Sequence, residues 1–235
     1  MAIIKWIVFF FSMHIFTVYA NGGTYLDTTR VIYNENNGAK AVKVTNTSAD
    51  YPYLVRGWVS SADTDGADDK WVVTPPVYRL NENSAIQLKI TNIDSSKLPK
   101  DRESLFFLNV LTIPGDSSKN KKNISESLSG KINIALNSKI KIMYRPESIQ
   151  SQDGSQAYKQ LAFLSFEDKL VITNRSPFHI NFSNIAIDGV NHRIPRQMIA
   201  PFSTVDIKTM STPTTIKFNV ITDFGGDIAV SKKLS

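Results

Sequence analysis

Few side chains in this sequence are of the type and spacing that make or break bonds. There is no cysteine, which removes thiol catalysis, disulfide frameworks, zinc ribbons and iron–sulfur ligation at once. Beyond the apolar N-terminus only His179 and His192 remain, too few for a histidine-rich metal site, and both read as surface or packing residues. No His-Glu-x-x-His pair, Gly-x-Ser-x-Gly elbow or phosphate-cradling glycine loop is present. Asp101 and Glu103, alternate residues entering a strand, share a face as a glycosidase pair would, but no substrate cleft accompanies them. The chemistry on offer is that of a backbone. From Ile132 to Tyr144 every even-numbered residue except Ser138 is apolar: Ile132, Ile134, Leu136, Ile140, Ile142 and Tyr144. Buried, this is a long central strand; left open along one edge, it presents unpaired N–H and C=O groups to another chain.

The elements around that strand follow from composition and period. The 235 residues are 42% hydrophobic and 20% charged, apolar enough to bury real cores and long enough for one large or two small domains. Periodicity is two almost throughout, as in Val42-Lys43-Val44 and Ile86-Gln87-Leu88-Lys89-Ile90, with turn clusters such as Asn34-Glu35-Asn36-Asn37-Gly38 between. The pattern predicts an all-β fold of antiparallel sheets packed face to face. Lys5 followed by the apolar run Trp6 to Phe16 and by Val18-Tyr19-Ala20 predicts a signal peptide over residues 1–20, cleaved near Ala20, and hence an exported chain with no stable membrane insertion. Pro146 and the polar stretch after it mark residues 146–155 as a linker between a domain at 21–145 and a smaller one at 156–235. The formal charge of +6 and the cluster Lys119-Asn120-Lys121-Lys122 could suggest nucleic acid, but a short basic loop in an exported protein reads as a solvated tip.

One long segment carries a specific likeness. Leu98-Pro99-Lys100-Asp101-Arg102-Glu103-Ser104-Leu105-Phe106-Phe107-Leu108-Asn109-Val110-Leu111-Thr112-Ile113-Pro114 closely resembles the signature of the periplasmic pilus chaperones of the chaperone–usher pathway. Thr29-Arg30-Val31-Ile32-Tyr33, Val73-Thr74-Pro75-Pro76-Val77-Tyr78-Arg79-Leu80, Lys139-Ile140-Lys141-Ile142-Met143-Tyr144-Arg145-Pro146 and Asp223-Phe224-Gly225-Gly226 resemble further pieces in that family's order.

The resemblance implies two immunoglobulin-like β-sandwich domains set as a boomerang with a cleft between them, in the periplasm. It implies a chaperone that folds and caps pilus subunits by lending them a strand, a mode in which chaperone–pilin pairs are the standing example, and that hands them to an outer-membrane usher. Ile132, Ile134 and Leu136 would be the donated apolar anchors. Arg30 and Lys141 would grip the subunit's C-terminal carboxylate, and Glu103, Arg145 and Asp223 would join the domains by an ionic network. Pro75-Pro76 resembles a turn where that family can carry a cis peptide, and the absence of cysteine points to its short-loop branch, which serves rod-like pili with adhesive tips, although the loop from Gly115 to Gly130 is somewhat longer than that branch suggests. No enzyme activity, metal or cofactor is implied, and unbound copies would have the bare edge available for self-association. The rival reading is a secreted carbohydrate-binding or adhesive sandwich, using Tyr51, Tyr53, Trp58 and Trp71 as stacking rings.

Overall fold

The computed structural model describes residues 22–116 and 134–234. The expected signal peptide at 1–20, the basic cluster at 119–122, Ile132 and most of the Gly115–Gly130 loop lie outside the described residues.

Among the described residues nine strands build the first unit: β1 (Thr24–Leu26), β2 (Arg30–Asn34), β3 (Lys40–Asn46), β4 (Tyr53–Ser61), β5 (Trp71–Thr74), β6 (Val77–Leu80), β7 (Ser84–Asn92), β8 (Ser104–Pro114) and β9 (Leu136–Arg145). They form one sheet in the order β1-β3-β7-β5 and another in the order β2-β9-β8-β4-β6. Alternation decides which face is dry: Val42 and Val44 of β3, Leu88 and Ile90 of β7, and Phe106, Leu108 and Val110 of β8 all turn into one core. Trp71 sits at its centre, with ring centroids 4.9 Å from Tyr33 and 5.1 Å from Phe106. At 6% exposure it is packing, so one of the four rings named for a sugar-stacking reading is spent inside.

Eight strands build the second unit: β10 (Leu161–Phe166), β11 (Lys169–Asn174), β12 (Ile180–Ile187), β13 (Val190–Asn191), β14 (Met198–Ile199), β15 (Thr204–Lys208), β16 (Thr215–Ile221) and β17 (Asp227–Lys233). Their sheets, β10-β11-β15 and β13-β12-β16-β17 with β14 beside β12, enclose a separate core around Ile172, Phe178, Ile185 and Phe218. The chain is two β-sandwiches. The segment between them is ordered, and Ile149, in a short 3-10 turn, is buried with the second core.

Both sandwiches lock a strand end with the same device. Asn46 Nδ2 donates to the carbonyls of Tyr51 and Asn81 at 2.9 Å each while its Oδ1 accepts from the Ser48 N–H. Asn174 Nδ2 donates to the carbonyls of Phe178 (2.7 Å) and Ala200 (2.9 Å) while its Oδ1 accepts from the Ser176 N–H. Each amide replaces ladder bonds that the turning backbone gives up, and this explains Asn46-Thr47-Ser48, which otherwise matches a glycosylation acceptor. The Thr74–Pro75 peptide is cis.

Because the two cores are separate, a cavity in either should be felt at full cost. Leu108→Ala, at the fully buried middle of β8, is expected to lower the unfolding free energy by about 2–5 kcal/mol in urea titration, against about 0.5 or less for Leu164→Ala on the exposed face of β10.

Candidate functional site

β9 is flanked differently along its length. From Lys141 to Tyr144 it lies between antiparallel β8 and parallel β2, whose ladder runs from Arg30 opposite Lys141 to Asn34 opposite Arg145. From Leu136 to Ile140 it pairs, among the described residues, with β8 alone. Central strand and open edge are therefore two halves of one element. The strand was expected to run from Ile132, but its ladder to β8 ends at Leu136 opposite Thr112. Continued in register, Ile134 would face Pro114, which has no N–H to give. Ile134 and Leu136 stand 76% and 54% exposed, with Leu136 on the same side of β9 as the core residues Ile142 and Tyr144.

The open half runs into two cations. Lys141 Nζ donates to Asn181 Oδ1 at 2.6 Å and to the Arg196 carbonyl at 3.1 Å, both on the second sandwich. Arg30 Nη1 reaches the Ile221 carbonyl at 3.4 Å, and its buried Nε has no hydrogen-bond partner among the described residues. Burial lowers the Arg30 pKa, with the charges of Asp223 and Asp227 opposing it. Burial, then the neighbouring Arg30 charge, brings Lys141 down to about 8. Two like charges partly withdrawn from water and met mainly by neutral oxygens are costly to keep, and an arriving carboxylate would relieve that cost. The pair has donors to spare for one, since an ammonium carries three and a guanidinium five.

Four residues further along, Arg145 has the opposite surroundings. Its Nε donates to Glu103 Oε1 at 2.6 Å, and its two terminal nitrogens grip both oxygens of Asp223 at 2.8 Å each. Glu103 enters β8 from the first sandwich, and Asp223 heads the turn after β16 of the second. That turn closes at Gly225, whose φ of 83° suits glycine. Gly154 is needed beside the guanidinium, because a Cβ there would lie 2.8 Å from Arg145 Nη2. Burial pushes the Arg145 pKa down, but the hydrogen bond to Asp223 and the charges of Glu103 and Asp223 outweigh it, and the net shift is upward.

Sequence reasoning missed a fourth member. His179 donates its backbone N–H to Glu103 Oε2 at 2.7 Å, with its ring Nδ1 3.1 Å from the same oxygen, and the Glu103 N–H in turn reaches the Pro177 carbonyl at 2.9 Å. Glu103 is thus committed to the junction at 4% exposure, and no carboxylate pair with Asp101 exists. Nothing in local spacing links His179 to Glu103, 76 positions apart. Among the described residues no cluster of three or more metal-capable side chains occurs, and no helix is long and apolar enough to cross a membrane.

Comparison with known proteins gives the same architecture. Residues 23–150 match the N-terminal domain of PapD, a pili and flagellar-assembly chaperone, and residues 156–232 match the C-terminal domain of the pili-assembly chaperone PapD. The uncharacterized fimbrial chaperone YqiH of Escherichia coli (strain K12) is 32% identical over 210 residues, 87% of this chain and 81% of that one. The chaperone protein MrkB of Klebsiella pneumoniae is 31% identical over 233 residues, 95% of this chain and 94% of that one. Among solved structures, that of the Salmonella enterica SafA pilin in complex with the SafB chaperone matches with a TM-score of 0.76 at 25% identity, covering 92% of this chain and 99% of that one.

Removing the guanidinium would strand a buried acid. Arg145→Leu is expected to cost about 3–5 kcal/mol in equilibrium unfolding, and adding Glu103→Gln should recover part of the loss; a double variant as unstable as the single one would disprove the coupling.

Proposed function

Because this chain belongs to the pilus-assembly chaperone family, matched in both of its domains, we propose that it captures pilus subunits in the periplasm by lending them the open half of β9 and passes them to an outer-membrane usher. The observation that carries this reading is the continuity of one strand: an edge that among the described residues pairs with β8 alone leads directly to a pair of incompletely partnered cations. A subunit strand would add to the edge by main-chain hydrogen bonds, with Ile132, Ile134 and Leu136 as side-chain anchors and its C-terminal carboxylate on Arg30 and Lys141. Charge-assisted bonds at the chain end, each worth about 1.5–3 kcal/mol, would fix the register, since a slip of one residue turns every anchor to the wrong face. Glu103, Arg145 and Asp223 would hold the angle between the sandwiches. Cleavage near Ala20 would release the chain from export, and the same bare edge would let unbound copies associate. No catalytic step or cofactor enters this reading.

The direct test is a pull-down of tagged mature protein from the periplasm of its own host, wild type beside Lys141→Ala, with captured chains identified by mass spectrometry. Pilus subunits held by the wild type and lost by the variant are the expected result; equal capture by both would remove Lys141 from the anchor. Leu136→Asp should weaken capture about tenfold or more, the worth of one buried leucine, with the variant still folded by circular dichroism.

Capture should also depend on pH. A carboxylate favours the ammonium form of Lys141, so binding raises a pKa that is about 8 in the free protein. Affinity is then full below about pH 8 and falls as pH rises above it, and calorimetry near pH 8 should show proton uptake on binding. A flat profile from pH 7 to 10 would contradict the assignment.

A further inference from the structure

Lys141 is held by the second sandwich, yet the loop that holds it is itself held by the first. Arg196 lies in the short turn Pro195–Gln197 with φ 54° and ψ 12°, and Gln197 follows at φ 51°. Two consecutive non-glycine residues in the left-handed region need outside support. Part of it comes from across the cleft: Arg196 Nη2 donates to the Ala62 carbonyl at 2.8 Å and lies 3.5 Å from Asp63 Oδ1. The receiving loop is tied down in turn, because the Asp65 carbonyl accepts from Trp58 Nε1 at 3.0 Å and the Asp65 carboxylate pairs with Lys139 Nζ at 2.6 Å. Lys139 and Lys141 are alternate residues of β9 and share a face. The contacts therefore close a circuit that starts and ends on one strand, passing through Arg196, and none of its members belongs to the Glu103–Arg145–Asp223 cluster.

We propose that Arg196 is a positioning residue for the carboxylate anchor: its left-handed backbone sets its carbonyl on Lys141 Nζ, and its guanidinium pins that carbonyl to the first sandwich. The inference rests on the reading of Lys141 as the carboxylate grip. A lysine ammonium on a flexible four-carbon stem needs such fixing, and with the Arg196 carbonyl and Asn181 each taking one N–H, one remains for the incoming chain end. Without the carbonyl, Asn181 alone directs the side chain.

The test uses C-terminal peptides of the host's pilus subunits, each synthesised as the free acid and as the amide, titrated into the full mature chain. The ratio of the two affinities isolates the carboxylate from the rest of the strand. For the wild type this ratio is expected to be about tenfold or more. Arg196→Val, whose branched side chain opposes positive φ, should cut the ratio about three- to tenfold with the amide's affinity unchanged. Arg196→Gly, which adopts the backbone freely but loses the guanidinium, should cut it less, and it carries the test if the valine variant does not fold. Ratios equal to wild type in the folded variants would overturn the proposal. So would parallel losses for acid and amide, which would make Arg196 a strut between the sandwiches. A wild-type ratio near one would instead overturn the anchor itself.

Discussion

One guanidinium is shared by acids from the two sandwiches. Arg145 belongs to β9 of the first, Asp223 to the second, and Glu103 is held to the second through the backbone of Pro177 and His179. Charges this deeply buried lose much of their Coulomb energy to desolvation, so the value of the cluster is geometric more than energetic. A two-pronged grip on Asp223 fixes direction as well as distance. Were the sandwiches to turn against each other, Asn181 and the Arg196 carbonyl would move off Lys141, and the cations of β2 and β9 would face water with nothing arranged around them.

Along β9, compensation changes within four residues. Arg145 meets two acids and its pKa rises; Lys141 meets neutral oxygens and its pKa falls to about 8. Strand periodicity puts both on one face, so the difference comes from what surrounds each: Glu103 of the first sandwich and Asp223 of the second at Arg145, neutral oxygens of the second sandwich at Lys141. The matched cation serves the architecture. The mismatched one keeps an electrostatic cost that a further negative charge would relieve.

Much of this could be read in the sequence, and the gaps have a common cause. Alternation located β3, β7 and the body of β9, because a half-buried strand writes its period locally. It could not divide β9 into covered and open halves, since the cover is β2, more than a hundred positions earlier, and the division depends on where the parallel register begins. Nor could it separate Trp71, a core ring, from rings that stay partly wet, because aromatics serve both uses. Arg30, Lys141, Glu103, Arg145 and Asp223 were legible only through likeness to a family. His179 and Arg196 were not legible at all, since each acts through a backbone atom, and the identity of a side chain says little about what its own N–H or C=O will touch.

The half-open strand has a metrical consequence. From Lys141 back to Leu136 is five residues, about 17 Å at strand rise, and an extended backbone stretches no further. One end of that interval is marked by charge and the other by an apolar side chain, so β9 is a graduated rule with a fixed zero. In the proposed function a guest chain laid against it would be gauged from its own terminus: what must agree is the interval between its last carboxylate and the groove that would receive Leu136.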